Sequence, residues 1–201
     1  MAQAAGSTFT MESVDVILYA QWSVKRYTSP EDGLIFYDRD SYTTATATVP
    51  SWWYLEAAPY DQAFESDFTL ECGCYGTLIS GEDGTAVSRG EQNTFNIENG
   101  CETAGTAINI SANITLNSIC DDWFLPSKNE LHMMYINLRV AGVGGFSLEW
   151  YWSSSEFNAS GAWPESFPVI GSSSQQYYSK NSIIVWLGLS GCFLAAYPCN
   201  H

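Results

Sequence analysis

Residues 13–22 (SVDVILYAQW) alternate apolar and polar positions, the period-two pattern of a strand with one buried face. The preceding GSTFTM at 6–11 is a short polar lead with a second strand-like stub. At 34–37 the apolar run LIFY follows the turn-forming EDG and predicts another short strand. WYLEAA at 53–58 is made of helix-tolerant residues and stops before Pro59, which predicts a short helix. Between 66 and 119 the chain is rich in Gly, Asn, Thr and Ser with only short apolar stubs, so it predicts loops. Within that stretch, Leu78 and Ile79 before SGEDG predict a strand and a turn, and 92–98 predicts one or two helical turns.

The clearest helix spans 127–138. Pro126 precedes Ser127, and Glu130 stands three residues later, which is a capping box: the serine accepts from the backbone near Glu130 and the carboxylate reaches back. Leu131, Met134, Tyr135 and Leu138 then share one helical face, and Gly142, Gly144 and Gly145 end the run. Met133 and Met134 read as core filler. EWYWSSSE at 149–156 and GAW at 161–163 predict strands, and IIVWL at 183–187 is a continuous apolar run suited to a buried one. Short strands, many turns and few helices make this an α+β chain with irregular connections. A strand-bearing N-terminal segment, 1–32, precedes a larger unit, 33–201.

Charge narrows the partners. Seven Lys and Arg stand against 22 Asp and Glu, a formal net charge of −15. Nucleic acids and anionic membrane surfaces need clustered cations that this chain lacks. No apolar run is long enough to span a bilayer. The first residues show neither the basic start nor the apolar centre of a secretory leader, so Met1 reads as a cytoplasmic start or as the beginning of a piece of a longer chain. Six cysteines (Cys72, Cys74, Cys101, Cys120, Cys192 and Cys199) allow 15 full pairings, and spacing does not choose among them. Cys72 and Cys74 are too close for an ordinary zinc knuckle. His132 and His201 are the only histidines, which argues against a His-rich metal site or a histidine-dependent nucleophile, so no metal, cofactor or catalytic residue is assigned. The acidic stretch 61–71 reads as a solvated face.

Six blocks occur in a fixed order: GLIFYD at 33–38, YLEAAP at 54–59, YGTLISG at 75–81, DWFLPSKNEL at 122–131, AGVGGF at 141–146 and YWSSSE at 151–156. Together they resemble the variable proteins of diversity-generating retroelements over 33–193. The resemblance implies a C-type lectin-like fold of the formylglycine-generating-enzyme type, loop-rich and with few helices. It also implies buried anchors at Trp123 and Trp152 and a display platform built from the C-terminal strands. GSTFTM with the following VILYAQW resembles the end of an internalin-type B repeat, which implies an exported, surface-anchored bacterial parent.

Retroelements of this kind rewrite adenines, with asparagine codons (AAY) as preferred targets. The ligand-binding positions that the resemblance implies are Phe157, Asn158, Ser160, Gly161, Ser166, Pro168, Val169, Ser172, Ser173, Ser174, Tyr177, Tyr178, Ser179, Asn181, Ser182, Ile183 and Ile184. Every one is reachable from AAY through its first two bases. Trp163, Glu165, Gln175, Gln176 and Lys180 are not, and form a fixed frame among them. Tyrosine gives rigid amphipathic contact area at low entropic cost, while Ser and Asn give adaptable hydrogen bonds. Tyr177, Tyr178, Phe157, Ile183 and Ile184 are the candidate anchors, with a core-strand role the competing reading for the two isoleucines. Tyr151 and Trp152 are expected inside, with Ser153 to Ser155 satisfying backbone groups around them.

The tail departs from the family. VWLGLSGCF at 185–193 stands where the resemblance implies an arginine-bearing closing strand, and no arginine follows Arg139. Its codons, shifted two bases, can spell LARPVRVF, so a frame shift near Val185 is a hypothesis that the nucleotide sequence tests. The expected function is recognition of a macromolecule, protein or surface glycan, without catalysis. Two other classes compete. A formylglycine-generating-like oxidase would need activated cysteines. A calcium lectin would need clustered oxygens beyond Glu156, Asn158 and Glu165.

Overall fold

A computed structural model describes residues 33–38, 54–58, 70–81, 83–101, 103–113, 123–146, 148–169, 171–182 and 195–196. The expected strands at 13–22 and 183–187 lie outside them, as do Ile183, Ile184, Cys120, Cys192, Cys199 and His201.

Among the described residues, two small antiparallel sheets and three α-helices make up an α+β architecture rich in loops. In the first sheet, β1 (Leu34–Asp38) pairs with β2 (Tyr54–Ala57) through a bulge at Phe36, and β2 also pairs with a two-residue strand, Ala195–Ala196. The second sheet joins β3 (Trp150–Asn158), β4 (Gly161–Ser166) and β5 (Tyr178–Ser179) in that order. The helices are α1 (Gly90–Gly100), α2 (Ala107–Asn113) and α3 (Lys128–Met134).

α3 begins as its sequence predicts. Ser127 Oγ accepts from the Glu130 amide at 3.3 Å, and the Ser127 amide donates to Glu130 Oε2 at 2.7 Å. The Glu130 carboxylate is buried, and its Oε1 accepts from the Ser88 amide at 2.7 Å, so the cap also fastens the loop before α1. Beyond Met134 the helix widens into a π-helical turn, Tyr135–Arg139. Leu131, Met134, Tyr135 and Leu138 are buried on one face, as their spacing requires.

Alternation along β3 explains how one strand serves two cores, because successive side chains leave opposite faces. Tyr151 enters a core with Phe36, Phe124, Leu131, Met134, Phe146 and Phe167. Trp152 enters the other, with Ile97, Ile108, Trp123 and Leu125. Each large apolar side chain removed from water contributes about 1.5–3 kcal/mol. Trp123 and Trp152 are buried, as the resemblance implied.

Two expectations are corrected. Of the short helix expected over 53–58, residues 54–57 are instead the middle strand of the first sheet, where pairing on both edges overrides the helix propensity of Leu55, Glu56 and Ala57. Leu78 and Ile79 form no strand; the Ile79 amide donates to the Glu156 side chain at 3.3 Å. The helix expected within 92–98 is present and longer, three turns from Gly90 to Gly100. Cys74 and Cys101 form a disulfide that closes the loop leading into and through α1. A closed loop with this separation of 27 residues contributes about 2–4 kcal/mol by restricting the unfolded chain.

Candidate functional site

The β3–β4 hairpin is built on an irregular register. Trp152 faces Pro164 while Glu156 faces Ala162, so Ser153, Ser154 and Ser155 bulge against Trp163 alone. A bulge leaves backbone groups without ladder partners, and the serines fill that need. Ser153 Oγ donates to the Trp163 carbonyl, Ser155 Oγ donates to the Gly84 carbonyl at 2.8 Å, and the Lys128 amide donates to Ser155 Oγ at 2.9 Å. The hairpin is thereby fastened to the start of α3. At its tip the Ser160 amide donates to Asn158 Oδ1 at 2.9 Å, a turn closed by an asparagine side chain.

Three aromatic rings meet on the outer side. Phe157 packs edge-on against Trp163 at 5.2 Å between centroids and against Tyr177 at 5.1 Å. Phe157 remains 53% and Tyr177 45% exposed, so the pair is an apolar surface open to a partner. Lys128 Nζ stands 3.7 Å from the Trp163 ring centroid, a cation on the ring face. Gly161 lies buried under this group, where any Cβ would run into the Tyr177 ring. A side chain at 161 therefore acts by displacing Tyr177 outward, and not by reaching solvent itself.

The other sequence-predicted positions divide by their surroundings. Asn158, Val169, Ser172 and Asn181 are exposed; Ser160, Pro168, Ser173 and Ser182 are half-buried. Ser166, Ser174 and Ser179 are half-buried and spend bonding capacity internally. The Ser174 amide donates to Ser166 Oγ at 2.9 Å, the Ser166 amide returns to the Ser174 carbonyl at 3.0 Å, and Ser179 Oγ donates to Asn181 Oδ1 at 2.6 Å. Tyr178 turns inward, its ring 4.8 Å from that of Trp150, while Tyr177 is exposed.

The frame residues lie beneath. Glu165 is fully buried; His132 Nδ1 lies 2.7 Å from its Oε1, and Gln175 Nε2 donates to its Oε2 at 2.9 Å. Gln175 Nε2 also donates to the Lys128 carbonyl, and Tyr135 Oη donates to the Gly171 carbonyl, so the 171–175 loop is tied to α3 and the π-helical turn. Lys180 is buried and ion-paired with Glu156. Glu156 and Glu165, the carboxylates weighed for a calcium site, thus both face internal partners. Gln176 alone of the frame is exposed, donating to Ser174 Oγ.

Sequence reasoning missed the loop beside the hairpin. The Gly76 amide donates to the Ala159 carbonyl at 2.8 Å, which sets the exposed Tyr75 and Leu78 on the same edge of the molecule as the hairpin tip. The sequence placed these two residues in a strand and a family block but not on the display face; the disulfide at Cys74, whose pairing the spacing left open, is what holds their loop. Lys128 was read only as part of a helix and a family block, since its contact with Trp163 spans 35 positions. A scan of protein-family models, a search of curated proteins and a search of solved structures each give no match for this chain. Among the described residues, no helix is long and apolar enough to cross a membrane.

Proposed function

We propose that this chain is a recognition module: a surface protein whose second sheet displays a ligand-binding face diversified by a retroelement, on a C-type lectin-like scaffold. The observation that carries the reading is the division of 157–182 into two kinds of position. Residue types reachable from AAY include the exposed Phe157, Asn158, Val169, Ser172, Tyr177 and Asn181. Of the five that are not, Trp163, Glu165, Gln175 and Lys180 hold internal partners in the fold. The sorting holds at these ten positions and not at Gly161, which is reachable and buried, or at Gln176, which is not reachable and exposed. The ligand is a macromolecule, protein or glycan, met by the Phe157–Tyr177 pair as a central anchor with Ser and Asn hydrogen bonds around it. Catalysis has no part in this reading, and the parent protein is exported to a bacterial surface.

Arrays of surface proteins and of glycans, probed with the full chain, test it. For any ligand found, Phe157→Ser and Tyr177→Ser are each expected to weaken binding at least about tenfold, the loss typical of a buried aromatic anchor. Val169→Ser is expected to be milder. A ligand bound equally well by the Phe157→Ser/Tyr177→Ser double variant would overturn the assignment of the face. Loss of binding on adding a chelator would favour the calcium-lectin alternative.

A further inference from the structure

We infer that Lys180 and Glu156 are positioning residues that set the path of the recognition face from inside; the word recognition here rests on the function proposed above. Both side chains are almost entirely buried, Lys180 at 3% and Glu156 at 5% exposure, and they are paired with each other. Each charged end also holds a backbone group of the neighbouring loop. Lys180 Nζ donates to the Thr77 carbonyl at 3.3 Å, and Glu156 Oε2 accepts from the Ile79 amide at 3.3 Å. Three backbone bonds complete the bracket: the Cys72 amide to the Lys180 carbonyl, the Lys180 amide to the Ser160 carbonyl, and the Gly76 amide to the Ala159 carbonyl. The loop that receives these bonds is anchored through Cys74 to Cys101.

Three chain segments therefore meet at one buried ion pair: the 72–79 loop, the hairpin tip at 156–161, and the strand end at 180. Burying two charges is a poor way to gain stability, since apolar residues of the same volume usually do as well. What the charges add is direction. An ammonium with a carboxylate and a carbonyl around it, and a carboxylate bound to an ammonium and an amide, admit one arrangement of the three segments where a greasy contact admits several. The positions that carry Phe157, Asn158, Ser160 and Gly161 sit immediately beside this bracket, and Tyr177 to Ser179 lead into it. Side chains on the outside can then change without the backbone beneath them taking a new course.

Amide hydrogen exchange on the full chain with its disulfide intact tests this without any ligand. Two variants are compared with the parent: Lys180→Met, which leaves Glu156 buried without its cation, and Lys180→Met/Glu156→Leu, which removes both charges. In both, amides at 157–161 and 177–181 are expected to exchange about tenfold faster or more, while those at 130–139 in α3 and the π-helical turn stay within about twofold. The double variant is expected to melt near the parent while keeping the fast exchange at the face. Should Lys180→Met fail to fold, the double variant carries the test. Equal acceleration at 130–139 would reduce the pair to a general stability element and overturn the proposal. So would slow exchange at the face in the double variant, because apolar packing would then position it equally well. A chain that passes this test yet binds nothing on the arrays would sink the proposed function and leave the bracket standing.

Discussion

Phe167→Ala is expected to cost about 3–5 kcal/mol of folding stability, the range for emptying a well-packed aromatic site. Phe167 has no exposed surface. Its ring lies 4.6 Å from Tyr151, 5.2 Å from Phe146 and 5.4 Å from Tyr135 between centroids, so three elements lose contact at once. The surrounding rings cannot easily close the gap. Tyr135 is held through its hydroxyl to the Gly171 carbonyl, and the Phe167 backbone is itself fixed, its amide donating to the Glu149 carbonyl and its carbonyl accepting from Arg139 Nε. Phe167→Leu keeps much of the volume and is expected to lose about half as much or less. Urea unfolding followed by tryptophan fluorescence measures both. A loss under about 1 kcal/mol for Phe167→Ala would mean that the core refills the site, and the packing described for it would be wrong. Because Phe167 directly follows β4, the alanine variant should also free the residues after it, which belong to the face proposed for recognition.

Local signals were the legible ones. α3 could be read because Ser127 and Glu130 form a cap within four residues and the apolar face after them has helical spacing. Strands β1 and β3 could be read from apolar and aromatic runs of their own. α1 was read short because its buried face is Gly90, Asn93, Thr94 and Ile97, a helical spacing filled by residues that periodicity counts as polar. Asn93 and Thr94 are acceptable there because they bond the Gly84 and Gly90 carbonyls, partners that sequence does not reveal. β2 was misread for a related reason: Leu55, Glu56 and Ala57 favour a helix in isolation, and only the strands on either side make them a sheet.

The candidate site shows the same division. Its exposed aromatics were legible as residue types, and Trp163, Glu165, Gln175 and Lys180 as exceptions to the codon pattern. Why they are exceptions was not legible. Lys180 meets Glu156 across 24 positions and Glu165 meets His132 across 33, and nothing along the chain ties those residues together. Gly161 is the reverse case. It fits the codon pattern as a display position, yet it is buried and shapes the face through the ring of Tyr177 above it.

Glu130 is expected to make stability fall as pH rises from about 4.5 to about 7. Burial pushes its carboxyl up from 4.5 to about 7, against the opposing pull of the amides of Ser127, Ser88 and Gly90, which favour the ionised form. The native state therefore holds a proton through a pH range in which the unfolded chain has released it. Where the folded state binds more protons than the unfolded state, stability decreases with pH, so Glu130 favours folding most below 4.5 and that advantage is gone above about 7. A displacement of this size corresponds to about 3 kcal/mol across the window. Glu149, whose carboxyl is raised by partial burial, acts in the same direction. So does the growing repulsion within a chain whose formal net charge reaches −15 at pH 7. Unfolding free energies measured in urea at pH 5 and pH 8 should differ accordingly. In Glu130→Gln, which cannot ionise, this part of the slope should vanish. The variant should also be less stable than the parent at pH 5, because a carboxamide has one acceptor oxygen for the Ser88 and Ser127 amides that the carboxyl group serves with two. Stability that rose between pH 5 and pH 8 in the parent would show that the amides outweigh burial, and that the cap of α3 holds an ionised Glu130 throughout.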